Sequence, residues 1–456
     1  MKDLTKGPEG KVILLFTLPM LLGNVFQQLY NVVDSVIVGR FIGKEALAAV
    51  GASFPVIFLI VSLIMGFTMG SSVLVSQYFG AGKENKVKQT IETAFITLFF
   101  AGIILTILGL LSSSHILKLL NTPSDVFRQA RIYLDIIFSG LIFLFGYNSL
   151  SAILRGLGDS KTPLYLLIVS TFINIVLDLI FILVFRWGIA GAAIATVLSQ
   201  AVSFFGAAVY LHKKKGYFTF HPKVIKFNSE IFFRSMKIGL PSGVQQSLVS
   251  AGMMAITRIV NGFGTNAIAA FTAAGRIDSF AIMPAMNFSL ALTSFVGQNI
   301  GAKKTDRIKK GVLATFLMSL SIAVCMSLIV ILFGKYLLMM FNTDPSVIFI
   351  GYRYLFIVGF FYSVFTAMFL FNGALRGAGD TVIPMFITLL GMWFIRVPAA
   401  HFFSRRMGTD GIWWSIPTAW ISGSILAGLY FVSGRWKKGH PAPGIEEIMR
   451  EELPIE

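Results

Sequence analysis

The feature that most constrains this chain is a recurring pattern of long apolar runs. They begin near Val12, Ala46, Val87, Asp125, Thr162, Gly188, Ile231, Ala267, Ile308, Val347, Thr381 and Gly411. About 20 consecutive apolar residues in a helix cross the hydrocarbon core of a bilayer. Lipid tails offer nothing to bond a bare peptide group, so each run must satisfy its own backbone as a helix. Twelve such runs predict an all-α polytopic membrane protein. Composition agrees: 13% of residues are charged, where a soluble domain carries roughly 25%. The first run is too long for the apolar region of a signal peptide and has no small-residue cleavage site before its acid, so no cleaved leader is expected.

A net charge of +17 raises the question of nucleic acid, but its placement excludes that reading. With the N-terminus placed in the cytoplasm, 25 of the 38 Lys and Arg fall in cytoplasmic segments and 11 in outer ones. That bias orients spans in a membrane, and it predicts a cell (inner) membrane protein with both termini inside. The single cysteine, Cys325, allows no disulfide within the chain and no Cys-based metal site, and the five histidines are scattered. No Gly-x-x-x-x-Gly-Lys-Ser/Thr loop, His-Glu-x-x-His or Gly-x-Ser-x-Gly is present. No loop is long enough for a soluble catalytic domain, so an enzyme is not expected.

The chain repeats itself at an offset of 221. Leu154-Arg155-Gly156-Leu157-Gly158-Asp159 recurs as Leu375-Arg376-Gly377-Ala378-Gly379-Asp380, and Gln77-Tyr78-Phe79-Gly80-Ala81 falls on Gln298-Asn299-Ile300-Gly301-Ala302. Pro163 falls on Pro384, and Tyr133-Leu134 on Tyr354-Leu355; Pro19 meets Pro241 after a one-residue gap. Six spans per half is an even number, so the two copies share an orientation and form parallel repeats around a central cavity. The expected organisation is an N-lobe at 1–211, a cytoplasmic linker at 212–229, a C-lobe at 230–438 and a cytoplasmic tail at 439–456. Lys213-Lys214-Lys215 reads as a solvated basic stretch near anionic lipid.

Polar residues inside the spans mark the candidate site. Gln27, Asn31 and Asp34 are spaced i, i+4, i+7 in the first span and share a helix face. A carboxylate at that depth costs roughly 2.5–3.5 kcal/mol on insertion scales and is a functional hypothesis by default. The fifth span carries Asn174 and Asp178, and the sixth Thr196 and Gln200, each pair four apart. Carboxylates with amide and hydroxyl oxygens suit a hard cation or a proton. Two acids in one low-dielectric pocket would titrate as a unit, and either H⁺ or Na⁺ would relieve their repulsion. Pro19, fifteen residues before Asp34, permits a bend in the same helix.

The second half does not duplicate these acids: Asp34 maps near Ala255 and Asp178 near Ala399. It offers instead Gln245, Gln246, Arg276, Asp278 and Arg396. Arg276 and Asp278 are two apart and do not share a face. Arg396 either faces Asp34 or Asp178 across the cavity or snorkels outward. Met253 and Met286 are adaptable apolar side chains of the kind that line promiscuous sites. Gln27, Asn31, Gln200, Gln245, Met253, Met286 and Arg396 are the candidate substrate-cavity residues.

Taken together, the paired prolines early in spans one and seven, the Gln-x-x-Gly-Ala segments after spans two and eight, and the Leu-Arg-Gly-x-Gly-Asp turns after spans four and ten resemble the multidrug and toxic compound extrusion (MATE) transporter family over nearly the whole chain. The resemblance implies export of organic cations and other amphiphiles in exchange for H⁺ or Na⁺, with no cofactor beyond that ion. It is closest to the DinF-like branch, whose acid on helix one, Asn and Asp on helix five and Thr on helix six match Asp34, Asn174, Asp178 and Thr196. Those four residues are accordingly the expected cation or proton site, with Na⁺ as the metal in question. A small-molecule substrate, a lipid bilayer and a monomer are the expected partners and state. A lipid-linked sugar or lipid flippase of a related fold is the alternative. A major-facilitator carrier is disfavoured by the Gly80-Ala81-Gly82-Lys83-Glu84-Asn85-Lys86 loop, which lacks that family's Gly-x-x-x-Asp-Arg pattern.

Overall fold

A computed structural model of the chain describes residues 2–120, 122–215, 217 and 226–438. Half of the expected linker and the whole expected tail lie outside the described residues. Among those described there is no strand. The helices of the first half are α1 (Glu9–Ile37), α2 (Lys44–Gly80), α3 (Glu84–Leu119), α4 (Ser124–Ser139), α5 (Leu141–Gly156), α6 (Lys161–Leu179) and α7 (Ile189–Lys215). Those of the second are α8 (Ser229–Asn261), α9 (Thr265–Gly301), α10 (Thr305–Met339), α11 (Pro345–Gly359), α12 (Tyr362–Gly377), α13 (Val382–Leu389), α14 (Val397–Met407) and α15 (Thr409–Val432).

Nine of the described helical segments are long and apolar enough to cross a membrane. Two more spans are broken helices, α4 with α5 bent by 53° and α11 with α12 bent by 52°. The remaining member of the expected twelve, α8, has 33 residues. Gln245, Gln246 and a run of Ser and Gly make it less apolar than the rest. The near-identical bends show that the repeat extends to backbone geometry.

The repeated residues have a visible purpose. In the first half Ser72 Oγ donates to the Ala152 carbonyl at 2.7 Å, and in the second Thr293 Oγ1 donates to the Gly373 carbonyl at 2.9 Å. Thr106 Oγ1 donates to the Phe138 carbonyl at 2.7 Å, and Ser327 Oγ to the Gly359 carbonyl at 2.6 Å. Each pair is related by the 221-residue offset. In hydrocarbon, small residues let helices approach and hydroxyls bond across the gap. Gly156 and Gly377 are the close-approach points. A Cβ would lie 2.8 Å from the Ser72 carbonyl at the first and 2.5 Å from the Thr293 carbonyl at the second.

The Leu-Arg-Gly-x-Gly-Asp turn is a second shared device. Gly158 and Gly379 adopt φ of 77° and 90°, a region open to glycine at little steric cost. The Asp that follows starts the next helix. Asp159 accepts from the Thr162 amide at 3.0 Å and from Tyr210 Oη at 2.7 Å. Asp380 accepts from the Ile383 amide at 3.4 Å and from Tyr430 Oη at 2.6 Å.

The chain divides into two units, and its division differs from the expected boundaries in the same way at two places. Leu18–Phe79 and Lys83–Gly239 belong to one unit; Asp3–Thr17, Gly80–Gly82 and the chain from Leu240 onward belong to the other. Membership thus changes one residue before Pro19 in α1 and one before Pro241 in α8. In the second unit the N-terminal segment is tied down: the Leu4 amide donates to Gln298 Oε1 at 2.9 Å, Lys304 Nζ to the Thr5 carbonyl at 3.0 Å, and Arg307 pairs with Glu9 at 3.2 Å. In the first unit a Cβ on Gly239 would lie 2.4 Å from the Gly66 carbonyl, so the start of α8 lies directly on α2.

Candidate cation site in the first half

Four helices of the first unit supply the site. From α1 come Tyr30 and Asp34, one turn apart; from α4 Tyr133; from α6 Asn174 and Asp178; from α7 Thr196. Tyr30 Oη lies 3.4 Å from Thr196 Oγ1, bridging α1 and α7. Asp34 and Asp178 lie within interaction range of one another. Both are acceptors when ionised, so nothing joins them unless a proton or a cation stands between. Asp178 and Asn174 are fully buried, and neither carboxylate oxygen of Asp178 nor either polar atom of the Asn174 amide has a hydrogen-bond partner. Tyr133 is buried against the same group, within electrostatic reach of Asp34, Asp178 and Tyr30.

Local backbone geometry places these groups. A π-helical turn at Val38–Ile42 follows Asp34 by four residues, and another at Ile180–Val184 follows Asp178 by two. A π turn inserts an extra residue, which rotates the helix face and loosens its hydrogen-bond ladder, and such turns recur at functional sites.

Two like charges this close in an apolar setting repel strongly. One H⁺ or one monovalent cation removes that repulsion. The oxygens on hand are two carboxylates, the Asn174 amide and the Thr196 hydroxyl, a set of hard ligands that fits Na⁺ as well as a proton. Among the described residues no group of three or more His, Cys, Asp or Glu could hold a metal ion, so the donor set does not match a multi-carboxylate divalent site.

The structure brings Asp34, Asp178 and Thr196 together around Tyr30, with Asn174 one turn before Asp178 on α6. It adds Tyr30 and Tyr133, which sequence reasoning passed over. Tyr30 stands i−4 to Asp34, and Tyr133 is the repeat partner of Tyr354; both signals were in the sequence. Gln27 and Gln200 are half-buried and the Asn31 side chain is exposed, and no hydrogen bond ties these three side chains to the cluster.

In the second half Gln245 is a structural tie. It accepts from Arg376 at 2.6 Å and donates to the Pro384 carbonyl at 3.3 Å and to Thr388 Oγ1 at 2.5 Å. Met253 and Met286 are exposed side chains of α8 and α9. Arg396 sets one terminal nitrogen 3.5 Å from Met253 Sδ and 3.8 Å from Met392 Sδ and lies within electrostatic reach of Asp278 of its own half.

Comparison with known proteins bears on this arrangement. The MatE family model matches the chain twice, over residues 19–180 and 241–402, the same two copies that the internal repeat defines. The chain is 35% identical to the "Probable multidrug resistance protein YpnP" of Bacillus subtilis (strain 168), over 95% of this chain and 97% of that one. It is 34% identical to "Probable multidrug resistance protein YoeA" of the same organism, over 93% of each. A solved multidrug resistance MATE family transporter of the MOP superfamily, in its outward-facing conformation, superposes with a TM-score of 0.88 at 25% identity, covering 96% of this chain and 99% of that one. A twice-matched family model, full-length relatives and a shared fold lead to one conclusion: the chain belongs to the MATE family of multi-pass membrane transporters.

Proposed function

We propose that this transporter exports organic cations and other amphiphilic compounds in exchange for H⁺ or Na⁺ bound at Asp34, Asn174, Asp178 and Thr196. The observation that carries the reading is the pair of neighbouring carboxylates, Asp34 and Asp178, which only a proton or cation can join. Multidrug resistance is what the relatives' names state, and it supports the substrate class. Binding of the ion favours the state that releases substrate outward, and release of the ion inward resets it. A ligand shifts such an equilibrium only through its differential affinity for the two states. One charge entering down 100 mV supplies about 2.3 kcal/mol, which sustains a gradient of up to about 50-fold for a neutral substrate at one-for-one coupling; a monovalent cation exchanged one for one moves no net charge, so its export is driven by the ion's concentration gradient alone. The placement of basic residues supports an inner-membrane location with both termini in the cytoplasm, and a monomer holds the whole proposed site.

The test is uptake of a fluorescent organic cation into proteoliposomes with a pH gradient or a Na⁺ gradient imposed separately. The gradient that drives transport identifies the ion. Asp34→Asn should abolish gradient-driven transport; wild-type rates in that variant under the driving gradient would refute the mechanism.

A further inference from the structure

The second half holds a polar cluster that this coupling scheme does not use. Asp278 of α9 accepts a hydrogen bond from Tyr354 Oη of α11 at 3.2 Å. Tyr362 of α12, only 1% exposed, turns its hydroxyl toward the same carboxylate without meeting hydrogen-bond geometry to any group. Trp413 of α15 is fully buried, edge-on to Tyr354 with ring centroids 5.0 Å apart, and its indole N–H has no partner.

Arg396 completes the cluster. It ends a π-helical turn, Leu390–Arg396, which Pro398 follows. It attracts Asp278 across the cluster, yet no ion pair forms between them. One terminal nitrogen reaches only thioether sulfurs, Met253 Sδ at 3.5 Å and Met392 Sδ at 3.8 Å. Its Nε is buried without a partner.

The imbalance is in donors. A guanidinium presents five N–H groups in a planar fork, and thioether sulfur is a weak acceptor. Adding Trp413 gives two side chains with unused donors, while the Tyr362 hydroxyl is already aimed at Asp278, the one carboxylate of the cluster. If Arg396 only balanced Asp278, burial would favour closing the pair, because a separated buried charge is expensive. A fork held off its counter-ion matches an incoming oxyanion, with which Arg forms two parallel bonds. The surroundings suit an apolar body: Met253 and Met392 flank the guanidinium. Gly252 makes room for Met392, since a Cβ there would lie 2.4 Å from Met392 Cγ.

We propose that Arg396 recognises the carboxylate of anionic or zwitterionic amphiphilic substrates, with Met253 and Met392 against the apolar body and Asp278 as the resident counter-ion that the ligand displaces. The export reading supplies only the claim that the occupant is a transported substrate. Binding itself needs no gradient, so the two readings fail separately.

The experiment is equilibrium binding to the purified full-length protein by fluorescence anisotropy, using rhodamine B and its ethyl ester. These dyes share a cationic ring system and differ by one free carboxylate. Wild type should hold the free acid more tightly. Arg396→Gln should weaken the free acid by about tenfold or more, the worth of a charge-assisted pair, and change the ester less than about twofold. Arg396→Lys, which keeps the charge and loses the fork, should fall between wild type and Gln. It also carries the test should the Gln variant fail to fold. Asp278→Asn, by removing the internal competitor, should tighten the free acid. Equal losses for both dyes, or free-acid binding unchanged in the Arg396 variants, would overturn the assignment.

Discussion

The two halves share a backbone plan and differ in the chemistry they hold. Repeat-related positions, Tyr133 and Tyr354, stand at the polar centre of each. Around Tyr133 gather the acids Asp34 and Asp178 and the hydroxyl of Tyr30, which meets Thr196, and no basic side chain among the described residues acts on them. Around Tyr354 gather one acid, one arginine, a tyrosine and a tryptophan. The ties between helices, by contrast, recur almost unchanged: Ser72 with Thr293, Thr106 with Ser327, Asp159–Tyr210 with Asp380–Tyr430. After duplication, residues that recur hold helices together, and residues that diverged mark where each half meets its ligand. The two proposals together would put a cation-binding half and an anion-binding half on one scaffold.

That contrast can be broken at several points. The largest effect is expected at the shared helix crossings. Gly156→Val and Gly377→Val each drive a side chain into a neighbouring carbonyl, and each should lower stability by about 1–3 kcal/mol, read from unfolding in mixed micelles. Loss in only one half would show that the repeat is not mechanically equivalent. A smaller and asymmetric effect is expected at the paired tyrosines. Tyr354→Phe removes a hydrogen bond to Asp278 and should cost about 0.6–1.7 kcal/mol. Tyr133→Phe should leave stability nearly unchanged and alter ion dependence of transport, since Tyr133 lies within electrostatic reach of both acids and has no hydrogen-bond tie to lose among the described residues. Equal stability losses at the two positions would weaken the division between holding and binding.

The smallest effect at neutral pH is expected at the first turn motif. Burial pushes the Asp159 carboxyl up, but the Tyr210 hydroxyl and the amide and hydroxyl of Thr162 outweigh it and hold the group below the ordinary carboxylate value. Its contribution is therefore full above the unfolded value of about 3.9 and disappears as pH falls through the lower folded value. Asp159→Asn should change stability by under about 1 kcal/mol at pH 7, because Asn caps a helix nearly as well. It should also remove that acid-side decline. An unchanged acid profile in the variant would assign the decline to another carboxylate.

Much of this was legible in the chain. The offset of 221 is strong enough to pair Gly156 with Gly377 and Asp159 with Asp380 before any coordinates. The candidate cation-site residues stood out because acids and amides inside apolar runs are costly. Tyr30 and Tyr133 were hidden for the opposite reason: tyrosine is common in membrane helices, and nothing local distinguishes a packing ring from one buried near an acid. Gln245 misled in the same way. A buried glutamine reads as a cavity polar group until Arg376 and Thr388, 131 and 143 residues away in sequence, are seen to hold it. The domain boundaries shifted because Asp3–Thr17 and the start of α8 pack by contacts across long sequence separations.

By itself the sequence determined the helices, their number, their pairing into two copies and the depth of the first-half acids. Each follows from a local rule: hydrocarbon forbids an unbonded peptide group and penalises a bare charge. Tertiary structure alone decided which side chains meet. That Arg396 meets Met253 and Met392 without pairing with Asp278, that Tyr133 is buried near the two acids, and that α1 and α8 change units just before their prolines all depend on crossings between helices. Apolar surface is equally content against lipid or protein, so hydrophobicity places a helix in the membrane without choosing its neighbour. Small residues and a few hydrogen bonds make that choice, and their partners lie too far along the chain for local pattern to reveal.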